Sequence, residues 1–456
     1  MTTEPQLNSP VPSAPPAAVH ATPEMLAASR AKRIVFLVVF LDLLGFGIVL
    51  PLLPRYADGF LTQLRLPDWA VGVVVGSLYS LFSVMQLIFA PIWGRLSDRV
   101  GRRPIILLGL VGSVIFYGLF ALASNMDPAT QALTAVVLLF VARIGAGIAG
   151  ATVATAQAVI ADTTTFEERS RGMAIVGAAF GIGFTFGPLI AFAALLFADD
   201  ARAAPGLAAS LLSGLALVVA WRQLPETCRA KLDGTATNSV VAAGRLNFRR
   251  MGRTLREPTV GLLILVFFLA VFGFATFEGT LSLFTERVFG FDNRSNFLIF
   301  AYIGFVLLVA QGLIYRRLAR VVDEVSFIRL GSAGMLTGLG MLCLVGMLVA
   351  AERTVAVDQQ MWMIRLGLFL LAVAVAVTGF AFLNPSVQGL ISKRSDPNRQ
   401  GEVFGVNQAF GALARILGPF IGLALFFSAP GYWMPYALGS ALLAVVLALT
   451  PQIKRR

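Results

Sequence analysis

Asp42, Arg143, Glu278 and Arg415 are charged side chains set well inside long apolar runs of this 456-residue chain. A lone charge in hydrocarbon is costly, so such residues are kept where they pair, carry protons or line a polar pathway. Asp42 is about eight residues into its run and Arg143 about ten into a run of opposite direction, which sets them at comparable depths of roughly 12 and 15 Å. That spacing points to a coupled pair in which Arg143 keeps the carboxylate charged and an arriving proton releases it. A permanent clamp between two helices is the alternative use of the same pair. Glu278, about nineteen residues into its run, falls nominally near the outer rim. It becomes a second proton or cation site if its helix breaks at Gly273 or Gly279, and is a solvated rim carboxylate otherwise. Arg415 lies deeper and calls for a partner that the sequence does not name. Gln86, Gln157, Asn384 and Gln408, with Arg415, are weaker candidates for lining a substrate cavity, since buried amides also simply join membrane helices.

The sequence offers little else with which to do chemistry. The only histidine is His20, near the N-terminus, which excludes a His-based metal or catalytic site within the apolar runs. Cys228 and Cys343 sit in different environments and suggest no disulfide. Without a nucleophile and base, a metal-ligand cluster or a phosphate loop, the chain does not read as an enzyme, and no cofactor or metal is expected.

The elements that must position these charges are apolar helices. The chain is 57% hydrophobic and only 13% charged, with a mean hydropathy of +0.81, which marks an integral membrane protein. Twelve apolar segments, roughly 34–56, 70–92, 105–124, 133–157, 172–197, 205–223, 259–281, 296–314, 327–350, 362–386, 403–427 and 431–450, mostly reach the ~20 residues that a ~30 Å hydrocarbon core requires. The expected fold is an all-α membrane protein of twelve transmembrane helices in two pseudo-symmetric six-helix bundles. A net charge of +12 would suit a nucleic-acid partner. The basic residues instead sit in short loops, which the positive-inside bias explains without nucleic acid. Outside the segments, 27 Lys and Arg lie on the side of both termini and 7 on the other, so both termini are expected in the cytoplasm.

Residues 1–29, with six prolines, read as a disordered cytoplasmic tail. Residues 30–223 form the first bundle, 224–257 a cytoplasmic central loop, and 258–456 the second bundle with a short basic tail. A weak repeat supports the division: Leu96 corresponds to Leu318, and Gly187-Pro188 to Gly418-Pro419. Parallel halves of this kind suit a transporter that rocks around a midplane site.

Between the second and third segments, Gly94-Arg95-Leu96-Ser97-Asp98-Arg99-Val100-Gly101-Arg102-Arg103 makes a basic turn too polar for lipid. It resembles the G-x-L-x-D-R-x-G-R-R loop of major facilitator superfamily transporters. The first helix, Leu41-Asp42-Leu43-Leu44-Gly45-Phe46-Gly47-Ile48-Val49-Leu50-Pro51-Leu52-Leu53-Pro54, resembles the signature of that superfamily's drug:proton antiporter branch. Leu139 to Ala151, around Arg143, is similar to the family's fourth-helix motif. Gly181-Ile182-Gly183-Phe184-Thr185-Phe186-Gly187-Pro188 resembles the antiporter motif of the export branch. Gly183, Gly187 and Pro188 would then make a kinked, smooth helix able to slide against the other half. The basic turn is expected to be a cytoplasmic gate built on Gly94, Asp98, Arg99, Gly101, Arg102 and Arg103. In it Asp98 meets the positive N-terminal end of helix eleven near Gln400 to Val403, and Arg99 or Arg102 pairs with Asp162.

The resemblance covers Ile34 to Thr450, and the first half is similar to tetracycline-efflux antiporters. Two departures narrow what it implies. The second half has no histidine, and the third helix, Ile105 to Ser124, has no acid. The expected function is therefore proton-coupled export of small amphipathic or drug-like compounds by alternating access. The expected partners are a small-molecule substrate, protons and the lipid bilayer, with the chain a monomer in the plasma (inner) membrane. A proton symporter or uniporter for a metabolite such as a sugar or organic acid is the alternative, against which the fifth-helix Gly-Pro motif and the first-helix signature speak.

Overall fold

The computed structural model describes residues 23–163, 183, 185–197, 201–227, 248–351, 359–396 and 399–455. Among them the regular structure is helical throughout. Backbone amides in lipid have no water to bond, and a helix satisfies them internally. Eleven helices are long and apolar enough to cross a membrane: Arg33–Gln63, Asp68–Val100, Arg102–Ser124, Pro128–Ile160, Ala204–Gln223, Pro258–Phe289, Asn293–Leu318, Glu324–Ala351, Gln359–Arg394, Glu402–Phe426 and Pro430–Ile453. A shorter apolar helix, Thr185–Phe197, takes the fifth position. Large apolar side chains such as Ile115, Leu133 and Leu211 are exposed along the outside, as lipid contact requires. The first helix begins at Pro23, while residues 1–22 and 228–247 of the tail and central loop lie outside the described residues.

In the first half the third span packs on the fourth and sixth, and the first on the sixth. In the second half the ninth packs on the tenth and twelfth, and the seventh on the eleventh and twelfth. The first described helix starts and the last one ends at one end of the bundle, called here the basic end. The opposite, far end carries Arg55 and Glu286.

The glycines of the first and fifth helices meet each other. A Cβ at Gly187 would lie 2.9 Å from the Gly47 backbone and 3.0 Å from the Leu44 carbonyl oxygen, and one at Gly47 would lie 2.9 Å from the Gly183 carbonyl oxygen. The fifth-helix glycines thus face the first helix of their own half, and not the other half as their motif suggested. What the fifth helix turns toward the other half is Thr185, against which Gly304 packs so tightly that a Cβ there would sit 2.5 Å from the Thr185 Cα.

The halves are joined at the far end. Arg55, 8% exposed, donates to Glu286 Oε2 at 3.2 Å and to the carbonyls of Phe291 at 2.5 Å and Asp292 at 2.9 Å. Arg287 pairs with Asp58 across the same seam. The Ser295 hydroxyl and N–H beside Asp292 hold that carboxyl below the usual carboxylate range. Below these charges the second span lies against the eleventh: Gly72 meets the Leu423 carbonyl, Gly76 meets Phe420, and the Ser80 hydroxyl donates to the Ile416 carbonyl at 2.6 Å.

Toward the basic end this closure stops. Along the second span the buried residues run from Val71 to Phe82, and the next is Ser97. Along the eighth they run from Asn296 to Gly304, followed only by Ala310. The ion pairs between described residues at this end each stay within one half. The structure is therefore sealed at the far end, with a cleft between the halves that opens at the basic end.

Gly187→Val should lower the thermal midpoint of the solubilised protein, since overpacking a tight contact costs about 1–3 kcal/mol. Gly59→Val, at a position with nothing within 4 Å, should not; equal midpoints for the two variants would show that the contact is not tight. Arg55→Ala should shift the population toward a far-end-open form by roughly tenfold or more, because hydrogen bonds to a charged group contribute about 1.5–3 kcal/mol. The readout is thiol labelling of Gly405→Cys, which has open space around it, in a background without Cys228 and Cys343. Labelling should slow, and an unchanged rate would remove Arg55 from the seal.

Candidate functional site

Arg143 is 2% exposed near the middle of the fourth span. The small residues after it let that helix approach the second span: a Cβ at Gly147 would lie 2.7 Å from the Phe82 carbonyl oxygen. At this separation the guanidinium lies over the Phe82 ring, 4.8 Å from its centroid, and Nη2 donates to the Tyr79 carbonyl at 3.4 Å. A ring face and a carbonyl offer partial negative charge without a second ion. Nε and Nη1 have no hydrogen-bond partner among the described residues. The side chain of Asp42, the partner expected from sequence, lies outside the described residues. One turn along, the Phe46 ring is 4.8 Å from the Phe82 ring, so the first helix reaches the aromatic contact that covers Arg143.

Glu278 is not at the rim, and its helix does not break at Gly273 or Gly279. The seventh span runs on to Phe289 because its hydroxyls bond to their own helix: Thr280 Oγ1 to the Thr276 carbonyl and Thr285 Oγ1 to the Ser282 carbonyl, both at 2.9 Å. A stretch that reads in sequence as the polar end of a helix is therefore interior, and Glu278 lies about 16 Å short of the true end. The helix holds it against the eleventh span, where a Cβ at Gly279 would be 3.0 Å from Pro419 and Thr276 Oγ1 donates to the Gly418 carbonyl at 3.1 Å.

The charge nearest in effect to Arg415, which the sequence left without a named partner, is Glu278 of the seventh span. The two charges act on each other, and Tyr79 of the second span feels Glu278 as well. Arg415 is exposed although it lies near the middle of its span. Its Nη1 would be 3.6 Å from a Cβ at Gly411, whose free face also meets Phe267 of the seventh helix, so the exposure is to the cleft. Gly405 and Gln408 are exposed along the same stripe. The other amides divide. Gln86 donates to the Gly150 carbonyl at 3.3 Å, joining the second and fourth spans, and Asn384 accepts from Gln388 of its own helix at 3.0 Å. Gln157 is half-buried.

At the basic end, Gly101 has a backbone φ of +111°, open to glycine and strained for other residues. A Cβ there would also collide with Glu226, 2.3 Å away. Glu226 accepts the N–H groups of Arg102 at 2.8 Å and Arg103 at 3.3 Å, an acid seated on the start of the third helix. Arg102 bridges Asp98 at 2.5 Å and Asp162 at 3.0 Å, while Arg103 donates to the Trp221 carbonyl. Of the two arginines proposed for Asp162, Arg102 is the one that pairs; Arg99 is exposed and Gly94 has open space. Asp98 is paired with Arg102 of its own half. The start of helix eleven has its own network, Arg399 with Glu257 at 2.6 Å and Glu402 at 3.0 Å.

Sequence reasoning missed Glu226, Arg55 and Tyr79. Glu226 carried a signal, as an acid following the sixth helix at the start of the most basic loop. Arg55 was read only as one of the few far-side cations. Tyr79 carried none.

The sequence matches the Major Facilitator Superfamily over residues 35–419. It is 31% identical over 426 residues to the tetracycline resistance protein, class E, of Escherichia coli, covering 92% of this chain and 94% of that one. Its structure is similar to that of the human organic anion transporter MFSD10, with a TM-score of 0.57 at 26% identity, over 94% of this chain and 100% of the other. The xylose transporter XylE from E. coli, in a partially occluded inward-open conformation, shares the fold alone: the TM-score is 0.69 at 14% identity, over 94% of this chain and 98% of the other. A sealed far end, an open cleft lined with charge and a match across most of the spans lead to one assignment: the chain belongs to the Major Facilitator Superfamily and is a multi-pass membrane transporter, not an enzyme.

Proposed function

We propose that this protein is a proton-coupled antiporter that exports small amphipathic, drug-like compounds by alternating access, working as a monomer with its basic end in the cytoplasm. The observation that carries the reading is the set of charges at mid-depth, Arg143 buried in the first half and Glu278 with Arg415 on the second, beneath a far-end seal that must open to release cargo. In this reading Asp42 and Arg143 take and release the driving proton, and Glu278 is a second protonatable group. The basic turn, from Gly94 through Asp98 and Arg102 to Asp162, becomes the gate that closes when the far end opens. The relationship to a tetracycline resistance protein supports export, although the missing histidine and third-helix acid argue for a different cargo. The domain division at 224–257 leaves 30–223 and 258–456 to move as two bodies.

The alternative, a symporter or uniporter for a metabolite such as a sugar or organic acid, uses the same fold and differs in the direction of the proton. In inside-out vesicles with an acid lumen, an exporter admits substrate while protons leave, so adding substrate should raise lumenal pH; a further fall would establish symport, and no change a uniporter. Asp42→Asn should reduce that signal to the level of protein-free vesicles while the protein remains inserted. Full proton movement in this variant would exclude Asp42 from coupling.

A further inference from the structure

Glu278 and Arg415 stand on helices that pack together at Gly279 against Pro419 and at Gly411 against Phe267, and among the described residues no ion pair joins them. Their helices are in backbone contact at Gly279 and Pro419, so two long side chains had every opportunity to meet. Instead each lacks what the other carries. Glu278 Oε1 is shut away from solvent with no hydrogen-bond donor among the described residues, and Arg415 presents its guanidinium to the cleft. An arrangement built only to neutralise two buried charges would close them into a bidentate contact.

We propose that Glu278 and Arg415 are the two poles of a binding site for a zwitterionic substrate, in which the substrate's ammonium group and a proton compete for Glu278 while Arg415 holds the acidic group. This rests on the antiport reading and names its cargo. The exchange balances: as the ammonium arrives, Glu278 gives up its proton to water in the cleft, and it takes one back as the substrate leaves. Proton and cargo cannot occupy the carboxylate together, which makes the exchange antiport rather than symport. The groups facing Glu278 are Arg415 of the eleventh span and Tyr79 of the second, while Tyr436 of the twelfth bonds to Thr280 close by. Tyr79 belongs to the other half, and its carbonyl holds Arg143, so occupancy of the site bears on both halves.

The test uses purified full-length protein and three probes: norfloxacin as the zwitterion, tetraphenylphosphonium as the permanent cation and fluorescein as the anion. Wild type should bind norfloxacin most tightly, and its affinity should fall as pH is lowered. Arg415→Gln should weaken norfloxacin roughly 10- to 100-fold, the loss of one charged hydrogen-bonding group, and leave tetraphenylphosphonium unchanged. Glu278→Gln should weaken both and flatten the pH dependence. Arg415→Lys and Glu278→Asp, which keep the charges, should recover part of the affinity and show that the protein is folded. Unchanged norfloxacin binding in Arg415→Gln, or fluorescein binding as tight as norfloxacin in wild type, would overturn the site. Proton movement is scored separately in vesicles. If norfloxacin drives it equally in both variants, the site fails and antiport stands; if norfloxacin binds through both residues but moves no protons, antiport fails and the site stands.

Discussion

A guanidinium sealed inside a lipid-spanning helix bundle has to be answered by something, and much of the first half is arranged around how Arg143 is answered. The partial charges it finds are the Phe82 ring and the Tyr79 carbonyl, both on the second span. Neither is within reach unless two helix backbones nearly touch, which is why Gly147 stands one turn along from the arginine. The first helix is drawn to the same place through Phe46 on Phe82, and it can lie there because Gly47 meets Gly183 and Gly187 behind it. Small residues in this half are the means by which a charge is placed at depth, and they lend the bundle its rigidity as a by-product.

Rigidity in each half is what gives the asymmetry of the seam its meaning. The second and eighth spans hold equivalent places in the two halves, and burial along both ends at a similar depth, at Phe82 in one and Gly304 in the other. Two bodies touching over one end of their length and parted over the other are posed to rock about the contact. The charges are distributed accordingly. Among the described residues, cross-half ion pairs cluster at the far end, around Arg55 and Arg287, whereas the pairs of the basic turn and of the start of helix eleven lie inside each half. Arg102, held by both Asp98 and Asp162, keeps the basic turn folded while that end stands open.

The fold was legible in the sequence because lipid imposes a length and a composition on each helix, and most of the twelve apolar runs satisfied both. Which residues end a helix was less legible. The seventh span looked finished by residue 281, since Thr280, Ser282 and Thr285 resemble a polar loop. The hydroxyls of Thr280 and Thr285 bond inward to a helix that runs on to Phe289, which puts Glu278 in the interior and not at the rim. The intramembrane charges announced themselves through their cost, whereas the basic turn offered Arg99 or Arg102 to Asp162 without choosing between them, and the structure pairs Arg102. Partners contributed by distant segments did not announce themselves: Arg55 with Glu286, Glu226 on the third helix, Tyr79 between Arg143 and Glu278. Each joins positions far apart in the chain, where only the packing of helices decides proximity.

That last arrangement links the two halves in a way that neither the seal nor the basic turn does. Arg143, Tyr79, Glu278 and Arg415 run from the fourth span to the second, the seventh and the eleventh, crossing the seam at mid-depth. In a medium of low effective dielectric a charge is felt over several ångströms, so neutralising one member changes the balance for those beside it. In the proposed rocking, Tyr79 would part from Glu278 while Arg143 stayed with Phe82 and Glu278 with Arg415, because those pairs each lie within one half. A change of charge at Glu278 would then be felt across the seam, and a bundle with its charges kept wholly inside either half would have no such lever.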